Sequence, residues 1–228
     1  MNWLYLLLDI GAISVPFIAS FYPKARFADH WSKLVPAIMI PGIFFIIWDV
    51  YFTKWGIWGF NKTYLLGFDI LGLPIEEWLF FICIPYACVF TYFALGVLVK
   101  KDYLAAAEKY ISWALVAGGL LLGFMNLDKW YTATTFIFLA IFIGYLKLVL
   151  KPTFLSRFYF TFLFILIPFF LITGLLTGSG IEDQVVWYND AENLGIRMGT
   201  IPFEDTFYGM LLLMMNVAIF DKLSTQKQ

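Results

Sequence analysis

Seven apolar runs dominate the chain and leave it essentially one kind of fold. They cover approximately Asn2 to Phe21, Leu34 to Phe52, Ile75 to Val99, Tyr110 to Leu127, Trp130 to Leu150, Phe158 to Gly178 and Glu204 to Phe220. Each approaches the roughly 20 residues that a helix needs to cross a bilayer. Backbone amides find no water inside lipid, so such runs close their hydrogen bonds as helices. Composition agrees: 62% of the 228 residues are hydrophobic and only 14% are charged, against about 25% charged in soluble domains. The expected fold is all-α, a polytopic membrane protein with seven transmembrane helices. No Lys or Arg precedes the first run, so it is expected to stay as a span and not to be cleaved as a leader.

An odd number of spans puts the termini on opposite faces. The connections on the N-terminal face carry Lys54, Lys62, Lys129 and Arg197. The other face carries Lys24, Arg26, Lys33, Lys100, Lys101, Lys109, Lys147, Lys151, Arg157, Lys222 and Lys227. The cation-rich face belongs in the cytoplasm, which predicts a cytoplasmic-membrane protein with its N-terminus outside and its C-terminus inside. The long connections Thr53 to Leu73 and Ser179 to Ile201 then both lie outside.

Those two connections resemble each other. Phe60-Asn61 aligns with Tyr188-Asn189; thirteen residues after each Asn comes a Pro, Pro74 or Pro202, and seven before each Pro comes a Gly, Gly67 or Gly195. The first Pro opens Pro74-Ile75-Glu76-Glu77-Trp78-Leu79-Phe80 and the second opens Pro202-Phe203-Glu204-Asp205-Thr206-Phe207-Tyr208. Three-span copies at residues 1–99 and 130–228, linked by a fourth span within 100–129, would run parallel about an axis along the membrane normal. Helix capping accounts for either motif alone, since Pro and acids suit a first turn. Capping does not require matching Asn, Gly and Pro offsets, whereas two half-sites meeting on an axis do.

Other acids fall at similar depth. Asp9 lies roughly 12 Å into the first span at 1.5 Å per residue, Asp49 near the outer end of the second, and Asp128 just beyond the fourth. Intramembrane carboxyls are often functional, though Asp9 and Asp49 could equally be structural. Asp128 reads as interfacial, and Asp221 lies at the opposite, cytoplasmic end. A close carboxyl pair can share a proton and so serve as a general acid. Aromatic rings including Trp48, Trp55, Trp58, Trp78, Phe80, Trp187 and Tyr188 could face a cation with their π surfaces, or form an ordinary interfacial belt.

Several chemistries have no residues to carry them. With a net charge of -1 and no basic face, nucleic acid is not an expected partner. His30 is the single histidine, so His-based triads and haem ligation drop out. Cys83 and Cys88 lack the spacing of a zinc site or a helix-spanning bridge. Gly-rich phosphate loops, the Gly-x-Ser-x-Gly elbow and Asp-rich diphosphate boxes are absent from the sequence, and neither a cofactor nor a metal is expected.

The paired Pro-x-Glu-Glu and Pro-x-Glu-Asp phrases, each leading into a span, resemble the membrane-integral lycopene cyclases, which occur as two-subunit bacterial enzymes and as fused single chains. The chain is similar to the fused form over nearly its whole length. The resemblance implies acid-catalysed closure of lycopene end groups to β-ionone rings, without net redox change. It carries over to Pro74, Glu76, Glu77, Pro202, Glu204 and Asp205 and does not settle Asp9 or Asp49; these two, with Asn61 and Asn189, are supporting candidates, and Trp78, Phe80 and Tyr208 are candidate substrate contacts. Glu76 and Glu204 are the expected acid–base pair, with Glu77 and Asp205 tuning them or stabilising positive charge. The implied partners are a lipid-soluble polyene, membrane lipids and other carotenoid enzymes. A carotenoid hydratase, another end-group cyclase and a proton-coupled transporter remain as alternatives. A retinal protein is disfavoured because the last span has no lysine before Lys222.

Overall fold

A computed structural model describes residues 3–225. Asn2, the expected start of the first span, and Lys227, counted among the cytoplasmic cations, lie outside the described residues. Among the described residues seven α-helices form: α1 (Leu4–Ala19), α2 (Trp31–Lys54), α3 (Ile75–Leu98), α4 (Glu108–Met125), α5 (Trp130–Tyr145), α6 (Leu155–Leu176) and α7 (Phe203–Thr225). Among the described residues, five helical segments are long and apolar enough to cross a membrane: those of α2, α3, α5 with its continuation to Leu150, α6 and α7. The apolar α1, at 16 residues, is shorter. Helix α7 continues beyond the expected end at Phe220, and α6 begins before the expected Phe158.

The helices α1 and α3 pack together, as do α5 and α7; α7 also packs on α2, and α3 on α6. Helix α4 lies on α5 through Gly119 and Gly123. A Cβ on Gly119 would stand 2.9 Å from the Phe136 carbonyl oxygen, and one on Gly123 2.5 Å from Ile137 Cγ1. Small residues one turn apart allow this close backbone approach. Asn216 on α7 donates a 2.8 Å hydrogen bond to the Ala37 carbonyl of α2, so a polar side chain ties two apolar helices where no water competes.

The two long connections contain short strands that hydropathy did not foretell: β1 (Trp58–Phe60), β2 (Asp69–Ile70), β3 (Leu73–Pro74), β4 (Val186–Tyr188), β5 (Arg197–Met198) and β6 (Ile201–Pro202). β2 pairs with β3, and β5 with β6, each just before a helix. Strands β1 and β4 pair with each other, antiparallel, in the register Trp58 to Tyr188, Gly59 to Trp187 and Phe60 to Val186. The Asn61 N–H donates to Val185 O and the Asn189 N–H donates to Ile57 O, both at 2.8 Å. Exchange of corresponding bonds in this way gives the ribbon a local two-fold axis midway between Gly59 and Trp187. The connections therefore meet on one side of the helices.

Candidate active site

Each Pro-acid motif is built by the same local contacts. Gly67 and Gly195 take φ values of +88° and +69°, which suit glycine and turn the chain back toward the helix. The Asn61 and Asn189 carboxamides each accept a backbone N–H two residues on. The Ile75 N–H reaches Phe68 O at 2.8 Å, and the Phe203 N–H reaches Ile196 O at 2.9 Å. Glu76 accepts the Leu66 N–H at 2.6 Å; Glu204 accepts the Leu194 N–H at 2.8 Å and the Thr132 hydroxyl at 2.6 Å. Both glutamates are fully buried and tie a connection to its helix. Pro74, Pro202, Asn61 and Asn189 thus shape the loops that hold them.

Successive residues on a helix point about 100° apart, so Glu77 and Asp205 face elsewhere. Both line a cavity of about 310 Å³ between α1, α3, α6 and α7, beneath the β1–β4 ribbon. Tyr5 donates a hydrogen bond to Glu77. Tyr131 donates to one oxygen of Asp205 at 2.5 Å and Tyr188 to the other at 3.0 Å. Burial, and then the Asp205 charge, hold the Tyr188 hydroxyl well above the usual phenol range, so it stays a donor. Asp49 is buried against α3 beside Glu77, takes the Trp58 indole N–H at 2.5 Å and the Thr53 hydroxyl at 3.2 Å on one oxygen, and leaves the other without a hydrogen-bond partner.

The remaining wall is apolar and aromatic, with Trp58, Phe60, Phe80, Tyr208, Ile84, Ile165, Phe169 and Leu213 among its residues. The structure brings Phe80 and Tyr208 to this wall but not Trp78, whose indole N–H holds the β2 loop through Ile70 O at 3.2 Å. Asp9 is buried on α1, its oxygens without hydrogen-bond partners, and does not line the cavity. Glu76 and Glu204 do not line it either. Asp221 sits near the far end of α7, where it accepts from Tyr92 at 3.4 Å.

One family model, described as lycopene cyclase, matches the chain twice, over residues 2–95 and 128–223. The chain belongs to the lycopene cyclase family. Neither a curated protein nor a solved structure matches it. Membership makes this a carotenoid cyclase in general terms, with a lipophilic carotenoid substrate and a membrane association that the long apolar helices support. The two cyclase matches begin three residues before Tyr5 and three before Tyr131. Tyr5 at the start of α1 and Tyr131 at the start of α5 play the same part, each donating to the second acid of a Pro-acid motif. They lie 72 and 74 residues from the carboxyls they touch, outside the connections whose motifs match, and a comparison of the halves would align them only with a two-residue gap.

Proposed function

We propose that this cyclase is a lycopene β-cyclase whose acid–base pair is Glu77 and Asp205. The observation that carries the reading is that these two carboxyls, one from each Pro-acid motif, open into a single apolar cavity lined by aromatic rings. Glu76 and Glu204 hold the loops in place, which reverses the roles expected from the motifs alone.

The two carboxyls have different surroundings, and these suit different tasks. Glu77 lies beside the Asp49 carboxyl, and such a pair can hold one proton between them. Glu77 therefore protonates the terminal double bond of the polyene. Both Asp205 oxygens accept phenol O–H bonds, which hold the carboxyl in position at the cavity wall. Trp58 and Tyr208 present π surfaces to the tertiary cation, and the internal double bond attacks it to close the six-membered ring. Asp205 then removes a ring proton to leave the β-ring double bond. One proton enters and one leaves, so the product is an isomer of the substrate. A mostly hydrocarbon wall keeps out the water that would otherwise capture the cation.

The same reading makes the halves parallel three-helix copies joined by α4, with seven spans in the cytoplasmic membrane and the N-terminus outside. The β1–β4 ribbon supports the parallel arrangement, because an inverted copy would place the two connections a bilayer apart, roughly 30 Å.

Expression in a lycopene-accumulating bacterium, with pigment chromatography, tests the function. β-Rings on the product are the expected result, lost in Glu77→Gln and in Asp205→Asn. Unchanged lycopene alongside well-folded wild-type protein would overturn it, and a hydroxylated acyclic product would turn the reading to a hydratase.

A further inference from the structure

The cavity is a slot. Its lining runs along α3 from Glu77 to Thr91, roughly 21 Å at 1.5 Å per residue, with the carboxyls at one end. A hydrocarbon dissolved in the bilayer must reach those carboxyls from the side, and the two halves differ in whether they let it.

Contact between α1 and α6 is made near the carboxyl end, around Tyr5 and Leu176, with Leu4, Leu8 and Ile172 packed on that cluster. Deeper in the bilayer, Ala12 and Pro168 line the slot while remaining partly or fully exposed. Proline within α6 cannot complete the helix ladder and favours a bend there.

The other half supplies an internal comparison. The Val185 N–H bonds Leu176 O as the Ile57 N–H bonds Phe52 O, which sets Pro168 and Ile172 of α6 opposite Phe44 and Trp48 of α2. Tyr5 and Tyr131 make the same contact to Glu77 and Asp205, and counting seven residues on from each compares Ala12 of α1 with Phe138 of α5. Phe138 lies 6.0 Å from Phe44 and 5.1 Å from Trp48, and Phe44 lies 5.8 Å from Trp48, centroid to centroid. Three mutually packed rings thus stop one side where Ala12, Pro168 and Ile172 leave the other open.

We propose that the gap between α1 and α6, framed by Ala12, Pro168 and Ile172, is the lateral mouth through which the lipid-soluble polyene passes end-first from the bilayer to Glu77 and Asp205. The inference rests on the cyclase reading for the identity of the occupant. The rest of the chain stays in the mouth and the surrounding lipid while its end group reacts. Ala12 is a specificity-determining position because a larger side chain there would rebuild the aromatic stop of the opposite side.

The test modifies the protein after it has folded. In a Cys83→Ala, Cys88→Ala background reconstituted in lycopene-containing liposomes, Ala12→Cys is reacted with a bulky hydrophobic maleimide. Product formation should fall at least tenfold, and lycopene should slow the labelling. Ile141→Cys, on the exposed outer side of α5, should lose less than twofold when modified in the same way. Full turnover by completely modified Ala12→Cys would refute the mouth and leave cyclisation standing. Conversely, if the unmodified protein forms no cyclic product but lycopene still protects Ala12→Cys, the mouth stands and the cyclase reading falls.

Discussion

Glu76→Gln and Glu77→Gln change neighbouring residues by the same atoms, yet their effects should separate cleanly. Glutamine at position 77 keeps an oxygen for the Tyr5 hydroxyl but has no proton to give to an alkene. A positioned general acid contributes about 10²–10⁴-fold, so the barrier should rise by about 3–5 kcal/mol while thermal stability stays close to wild type. Glutamine at position 76 keeps an oxygen to accept the Leu66 N–H, so the change should cost about 1 kcal/mol, the worth of a single perturbed hydrogen bond. At this chain length that corresponds to about 2–4 °C in Tm, with turnover per folded molecule within about threefold of wild type. Purified proteins in lycopene-loaded liposomes, followed by product chromatography and by thermal unfolding, report both quantities. Loss of turnover in Glu76→Gln together with normal turnover in Glu77→Gln would refute the assignment and return the acid role to Glu76.

Further outcomes follow from other contacts. Tyr188→Phe removes one of the two phenol bonds that position Asp205, and a small misplacement of a reacting group can cost about 10²-fold, so the rate should fall at least tenfold; a wild-type rate would count against Asp205 as the proton acceptor. Gly59→Ala places a Cβ 2.4 Å from the Trp187 ring, which should cost about 1–3 kcal/mol of stability through overpacking; an unchanged unfolding temperature would argue against the ribbon. Lys62→Cys and Ala191→Cys, each in a background lacking Cys83 and Cys88, should both react with an impermeant thiol reagent from outside intact cells, and reaction only from inside would reverse the orientation. One cavity holds both carboxyls, so two-ended substrates should release a one-ring carotenoid that added labelled one-ring carotenoid dilutes; undiluted two-ring product would refute separate visits by the two ends.

Seven helices were legible as seven apolar runs because a helix closes its backbone bonds locally, and five of them are long and apolar enough for lipid, where no water would serve those bonds. The correspondence of the two connections was legible too, since Gly67 and Gly195, Pro74 and Pro202, and Asn61 and Asn189 each answer a backbone requirement that recurs at the same offset. Membership of the cyclase family lay in those same motifs.

What the linear chain could not decide was which acid of each motif opens into the cavity. Glu76 and Glu77 are neighbours in sequence, and only the rotation of α3, set by its packing on α1 and α2 and by the Leu66 N–H on Glu76, turns Glu77 toward the cavity. Tertiary structure likewise delivers Tyr5 and Tyr131, which are remote in sequence from the carboxyls they touch, and it places Asp49 beside Glu77 while leaving Asp9 off the cavity wall. The sequence by itself determined the helices and the doubled motif, because those depend on local hydrogen bonding and on transfer from water to lipid. The site was decided by the tertiary structure, because hydrogen-bond partners and cavity walls depend on how helices distant in the chain are rotated against one another.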